Sequence, residues 1–308
     1  MSAPTRPSPL AVNRRTLLGG TAVALAAPVA VSAANAALEK AAPDLSGKSV
    51  LITGSSSGFG KLSAMHLARS GATVIASMRN LRGGKRPEAE ELMDLASDEQ
   101  LALSVVEIDV TKQDQVEAGV RQAEETAGGG LDALLSNAGI AIAGPVEVHN
   151  HEQTFKHFDV NLYGSQRIAQ AVLPGMRQKG SGLIIPVSSQ LGRFVIPNFG
   201  VYCATKHAME AMFETMAYEI APFGVEITIV QPGGYPTKIW DNGQRYFEEM
   251  IGTVNDERQK AYEAHIAMAN GLGRNPWDTD PMDIPRAVAE LMAMPDGKRP
   301  LRRPVHPD

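Results

Sequence analysis

From Lys48 onward the chain alternates short apolar runs with longer stretches in which apolar residues recur every three or four positions. The runs cover residues 49–53, 72–77, 101–108, 131–136, 183–188 and 225–230; the periodic stretches cover 61–70, 114–126, 152–177 and 202–222. Runs that are apolar nearly throughout read as strands buried on both faces, and the periodic stretches as helices with one buried face. Their alternation predicts an α/β fold: a doubly wound parallel sheet with right-handed crossovers and helices on both faces. Pro186 departs from this pattern. It sits inside the fifth run and has no N–H for a sheet ladder, so the strand is expected to kink there or to end its pairing early.

After the sixth run the rhythm breaks. Residues 237–280 mix Trp240, Tyr246, Phe247, Met250, Tyr262, Met268 and Trp277 with polar residues. The segment follows the carboxyl end of a strand, where ligands bind in such sheets, and is read as a substrate lid. The plainer alternative is a helical pair that only covers the sheet.

Length and charge narrow the function classes. A chain of 308 residues holds one large α/β domain without needing a second. A formal net charge of −5 offers no basic field to nucleic acid. Cys203 is the one cysteine, which excludes an intrachain disulfide and a paired zinc–thiolate site. His149, His151 and His157 are close in sequence but lack a carboxylate pattern, so no metal site is read from them; surface loop and helix positions are expected.

Residues 1–36 stand apart from the fold. Asn13-Arg14-Arg15-Thr16-Leu17-Leu18 places two arginines before an apolar stretch, and Ala34-Asn35-Ala36 supplies the small residues a signal peptidase reads. The layout resembles a twin-arginine export signal. It predicts a periplasmic protein whose mature domain is 37–308, with a cytoplasmic protein as the alternative. The stretch is short and only moderately apolar for a membrane span, so no stable span is expected after processing.

The chemistry is concentrated in a few segments. Thr53-Gly54-Ser55-Ser56-Ser57-Gly58-Phe59-Gly60 joins the first strand to a helix. Glycines there allow a tight turn and let backbone N–H groups and a helix N-terminus approach a pyrophosphate. Asn137-Ala138-Gly139 ends the fourth strand, and Asn161-Leu162-Tyr163-Gly164 lies in the long periodic stretch. Ser188-Ser189 ends the fifth strand, Tyr202-Cys203-Ala204-Thr205-Lys206 opens a helix, and Pro232-Gly233 with Thr237 follows the sixth strand. In this order, over roughly residues 46–306, they resemble the short-chain dehydrogenase/reductase family, in its single-domain, NADP-preferring form. The text around 202–237 is most similar to members acting on hydroxysteroids, retinol or similar apolar alcohols.

The resemblance implies a Rossmann sheet and a catalytic set of Asn161, Ser189, Tyr202 and Lys206. The family pattern places its serine thirteen residues before the tyrosine, which selects Ser189 over Ser188. Asn161 is implied to hold a water linking Lys206 to solvent. Gly54, Ser55, Gly58, Phe59 and Gly60 are implied to cradle the cofactor, and Asp109-Val110 to meet its adenine. Asn137, Ala138, Gly139, Tyr202, Lys206, Pro232, Gly233 and Thr237 complete the implied cofactor site.

Residue chemistry supports these roles. Tyr202 and Lys206 are four apart and share one helix face. A phenol with a pKa of about 10 is a poor base, and a nearby ammonium is expected to lower that value. Tyr202 then exchanges a proton with the alcohol or carbonyl oxygen while the cofactor carries the hydride. The second strand ends Ser77-Met78-Arg79-Asn80, without the acid that holds ribose hydroxyls. Arg79, with Ser55 nearby, is expected to grip a 2′-phosphate, giving NADP(H) in preference to NAD.

The reading is reversible oxidation of an alcohol to a ketone or aldehyde, with a small molecule as substrate. A non-catalytic nucleotide-binding sensor of the same fold is one alternative; an epimerase or dehydratase of the same superfamily is another. The resemblance also implies a homodimer or homotetramer built on 152–177 and 202–222.

Overall fold

The structure is a computed structural model describing residues 42–81, 86–272 and 278–306. The export segment 1–36 and Trp277 lie outside the described residues. In chain order the first half runs β1 (Ser49–Ile52), α1 (Gly58–Arg69), β2 (Thr73–Met78), α2 (Pro87–Asp98), β3 (Leu103–Glu107), α3 (Gln113–Ala127) and β4 (Ala133–Ser136). It continues with α4 (His151–Phe158), α5 (Gly164–Lys179), β5 (Gly182–Pro186), α6 (Gly200–Ile220), β6 (Val225–Ile227) and β7 (Ile229–Pro232). Then come α7 (Ile239–Ile251), α8 (Asp256–Ala261), α9 (Glu263–Leu272), α10 (Asp283–Ala293) and β8 (Arg302–Val305).

Six parallel strands pair in the order β3-β2-β1-β4-β5-β6. The order reverses between β1 and β4, which opens a crevice at the carboxyl ends of those strands. Successive side chains of β1 point to opposite faces, so Val50 and Ile52 join one core and Leu51 the other. The first core packs against α1, α2 and α10 through Leu67, Leu92 and Val288; the second packs against α3, α5 and α6 through Val120, Ile168 and Phe213. Each such buried side chain stabilises the fold by about 1.5–3 kcal/mol.

Several elements differ from the sequence expectation, among them α10 and β8, which follow the last expected run. Helix α2 was not expected, because it buries only Ala89, Leu92 and Ala96 and so carries little periodic signal. The periodic stretch 152–177 is interrupted by a π-helical turn, Asp159–Tyr163, in which Asn161 alone is buried. The sixth run splits at Thr228 into β6 and β7, and β7 pairs with β8 in a parallel ladder.

Pro186 explains the split. Val187 N–H donates to Ser136 O at 3.0 Å and Ser188 N–H to Val230 O at 2.8 Å, so alternation turns the Pro186 nitrogen toward β6 and β7. The β5–β6 ladder stops at Ile184 and resumes as a bridge between Val187 and Val230. Toward β4 the pairing continues through Pro186 opposite Ser136. The missing donor therefore falls where the outer strand is already broken, and the ladder ends early on that side alone.

Candidate active site

The loop between β1 and α1 is shaped by two glycines. Gly54 has φ +72°, and a Cβ there would meet Ala138 Cα at 2.9 Å; a Cβ on Gly60 would lie 2.3 Å from Gly54 O. The turn therefore folds only because both residues lack a side chain. Thr53 Oγ1 accepts hydrogen bonds from Asn137 N (2.9 Å) and Ala138 N (3.0 Å), and Asn137 Nδ2 donates to Thr53 O at 2.9 Å. These bonds strap the ends of β1 and β4 together across the crevice. Ser57, the N-cap of α1, makes no side-chain capping bond. The first amides of that helix are left for an anion.

A cavity of about 430 Å³ runs along this crevice. Gly54, Gly58, Phe59, Arg79, Asp109, Val110, Asn137, Ala138 and Gly139 line it. So do Ser189, Tyr202, Lys206, Pro232, Gly233 and Thr237, with Gly58 beside Thr237 and Gly139 beside Lys206. The glycine cradle, the uncapped helix and this volume fit a dinucleotide. Ser55 does not belong to the lining, contrary to expectation. It is fully buried, its N–H donates to Ser77 O and its hydroxyl to Ile52 O at 3.0 Å. Ser56 and Ser57 face the cavity instead. Gly60 acts through close packing, outside the lining.

Ser189 caps a short 3₁₀ turn after β5, its Oγ accepting from Leu191 N at 3.1 Å. Its hydroxyl lies beside the Tyr202 phenol, where both line the cavity, and favours the phenolate. Lys206 lies one turn beyond Tyr202, with Nζ donating to Val187 O at 2.8 Å and standing 5.7 Å from the Tyr202 ring centroid. Burial pushes the Tyr202 phenol up to about 12, with Ser189 pulling the other way. Burial brings the Lys206 ammonium down to about 8, opposed by Glu210. The expected lowering of the phenol by the ammonium is not found: removal from water dominates, and the opposing pull comes from Ser189. Glu210, buried one turn further along, accepts from Gln231 Nε2 and Arg302 Nε, each at 2.9 Å, and fastens α6 to β7 and β8.

Asn161 sits behind this set rather than in the cavity. Its Oδ1 accepts from Ile140 N (2.9 Å), and its Nδ2 donates to Ile140 O (2.9 Å) and Thr205 Oγ1 (3.1 Å). Its side chain holds the loop after β4 against α6, and its backbone oxygen accepts from Ser165 Oγ at 2.9 Å. His151 is exposed, as expected, but His149 is half-buried and His157 departs from expectation. His157 is fully buried, its Nε2 accepting from Ile142 N at 2.9 Å, and burial lowers it to about 3; His149, 5.8 Å away between ring centroids, is lowered to about 4. Both are neutral packing groups beside the site, not surface residues.

Sequence reasoning missed much of the substrate end. Leu191, Phe194, Ile196 and Phe199 line the cavity, with Trp240 and Ile239 from the lid segment. Phe199 and Trp240 meet edge-on at 6.2 Å. The run Phe194-Val195-Ile196, outside any periodic stretch, was the signal available for this wall. Tyr235, nearly fully buried, packs edge-on to Phe59 at 5.5 Å and lines the same space. Phe247 is part of the packing beneath α7 and outside the cavity lining.

Residues 48–245 match the short chain dehydrogenase family. Retinol dehydrogenase 7 of Rattus norvegicus is 33% identical over 248 residues, 75% of each chain. The mitochondrial D-beta-hydroxybutyrate dehydrogenase of the same species is 33% identical over 236 residues, 68% of this chain and 67% of that one. The crystal structure of a short-chain dehydrogenase from Streptomyces avermitilis superposes with a TM-score of 0.69 and 28% identity, covering 84% of this chain and 88% of its own.

Proposed function

The chain belongs to the short-chain dehydrogenase family, an oxidoreductase family acting on alcohol and carbonyl groups, and within it we propose an NADP(H)-dependent enzyme for an apolar alcohol or its carbonyl product. The observation that carries this reading is the convergence of Ser189, Tyr202 and Lys206 on the same cavity that the glycine cradle lines. The nicotinamide, when bound, supplies or accepts the hydride. Tyr202 holds its proton at neutral pH and offers it to a carbonyl oxygen; the reverse reaction runs from the phenolate, formed when neutral Lys206 takes the phenol's proton, and that phenolate accepts the alcohol proton. Ser189 orients that oxygen through its hydroxyl. Lys206, braced on Val187 O, supplies the proton that restores Tyr202.

The apolar wall of Phe194, Ile196, Phe199 and Trp240 supports an apolar substrate. The names of the relatives point two ways, to retinol and to hydroxybutyrate, and the wall favours the larger, apolar class. For the cofactor, Arg79 faces the cavity with no acid at the end of β2. Exposed Phe155 on α4 and Tyr218 on α6 support assembly of copies through those helices.

The test is turnover on a panel of cyclic and acyclic alcohols and ketones with each cofactor. Bulky apolar substrates with NADP(H) are expected to give the highest kcat/KM. Arg79→Asp should move the cofactor ratio toward NAD, since it removes a phosphate partner and adds a repulsive charge. No turnover on any member would favour the sensor alternative.

A further inference from the structure

Three cations from separate elements surround one phenol of the lid. Arg79, after β2, donates from Nη2 to Tyr246 Oη at 3.4 Å. Lys156 of α4 holds Nζ 4.0 Å from the Tyr246 ring centroid, and Arg245 of α7 holds Cζ at 5.1 Å. Among the described residues none of the three cations has a carboxylate within ion-pair distance. The chain has 34 acidic residues against 29 basic ones, so this local excess of positive charge runs against its overall balance.

Tyr246 itself is 5% exposed, packed by its ring against Ile140 and Val160. Its oxygen receives a hydrogen bond from Arg79, with the Arg245 guanidinium beside the ring, and among the described residues nothing accepts the phenolic hydrogen. A nearly buried donor among cations calls for an anion with several acceptor oxygens. Tyr246 and Arg79 both line the cavity, as do Asp109 and Val110.

We propose that Tyr246 and Arg79 together grip a phosphate monoester on the ribose of the bound dinucleotide, with Lys156 and Arg245 supplying the surrounding positive field. The inference rests on the NADP reading and adds to it a specificity residue on the lid. Arg79 bonds one pair of phosphate oxygens, and the Tyr246 hydroxyl donates to another. Since Tyr246 belongs to α7, the 2′-phosphate draws the lid onto the cofactor, and a dinucleotide without it does not.

Calorimetric titration of the full chain with 2′,5′-ADP and with 5′-ADP separates the possibilities without turnover. The wild type is expected to prefer 2′,5′-ADP by about tenfold or more, and Tyr246→Phe to remove much of that preference while leaving the 5′-ADP Kd unchanged. Lys156→Gln, at a partly exposed position, should weaken 2′,5′-ADP by a smaller factor in the same direction. If Arg79→Gln abolishes the preference while Tyr246→Phe and Lys156→Gln keep it, the lid plays no part and the inference falls, with the NADP reading intact. Equal weakening of both ligands by Tyr246→Phe marks packing alone and also overturns it. A wild type that binds both ligands equally refutes the NADP reading itself.

Discussion

Tyr202 and Lys206 lie on consecutive turns of α6 and both leave water, with opposite consequences for their protons. Burial disfavours the charged form of each, so the phenol rises to about 12 and the ammonium falls to about 8. Tyr202 therefore stays protonated through the physiological range, while Lys206 gives up its proton as the pH rises through about 8. Carbonyl reduction needs a filled proton source. Its kcat/KM should be level below that pH and fall above it, and Lys206→Arg, which stays charged but cannot release a proton, should lower the rate at every pH and remove the break near 8. A profile of the wild type that stays level from about pH 6 to 10 would contradict this role for Lys206. At this scale the sequence was legible where spacing dictates geometry: Gly54, Gly60, Tyr202 and Lys206 occupy a turn or a helix face that their separation fixes. Ser55, Ser56 and Ser57 were not separable, because three adjacent serines look alike until the φ of Gly54 decides which one turns inward.

Elements were legible where burial is periodic and obscure where it is not. The strands of the six-stranded sheet and helices α1, α3, α5 and α6 carried clear signals, α2 buries too few residues to show one, and α10 and β8 were not expected. The π-helical turn at Asp159–Tyr163 was invisible because an added residue per turn leaves the polarity pattern nearly unchanged. The lid segment was recognisable by its aromatics, but their directions were not. Trp240 faces the cavity and Phe247 the packing below α7. Trp240→Ala should raise KM for a bulky cyclic alcohol by about tenfold and barely change KM for 2-propanol, as expected for loss of an apolar contact. Phe247→Ala should instead lower the melting temperature, with similar effects on both substrates. Equal KM changes from Trp240→Ala would leave that residue a packing role only.

On the scale of the whole molecule, two cores on opposite faces of one sheet hold the carboxyl ends of β1, β4 and β5 in register, and the site is assembled there from segments far apart in sequence. The doubly wound order was legible because apolar runs alternating with helices admit few other arrangements. The apolar wall of the cavity was not, since Phe194, Phe199 and Trp240 come together only after the chain has folded. Export through residues 1–36 remains our proposal for where the enzyme works. Arg14→Lys with Arg15→Lys should leave the protein uncleaved in the cytoplasm, whereas the wild type should be recovered from the periplasm shortened near Ala36, by fractionation and N-terminal sequencing. Full-length active wild type confined to the cytoplasm would refute the signal. The central claim, that one buried phenol moves the proton as the cofactor moves the hydride, is tested most directly by Tyr202→Phe under single-turnover conditions, with NADPH oxidation followed on a reactive ketone and NADPH binding measured separately. The account predicts a loss in rate of about 10²-fold or more with NADPH affinity unchanged; a variant that keeps more than about a tenth of the wild-type rate would contradict it.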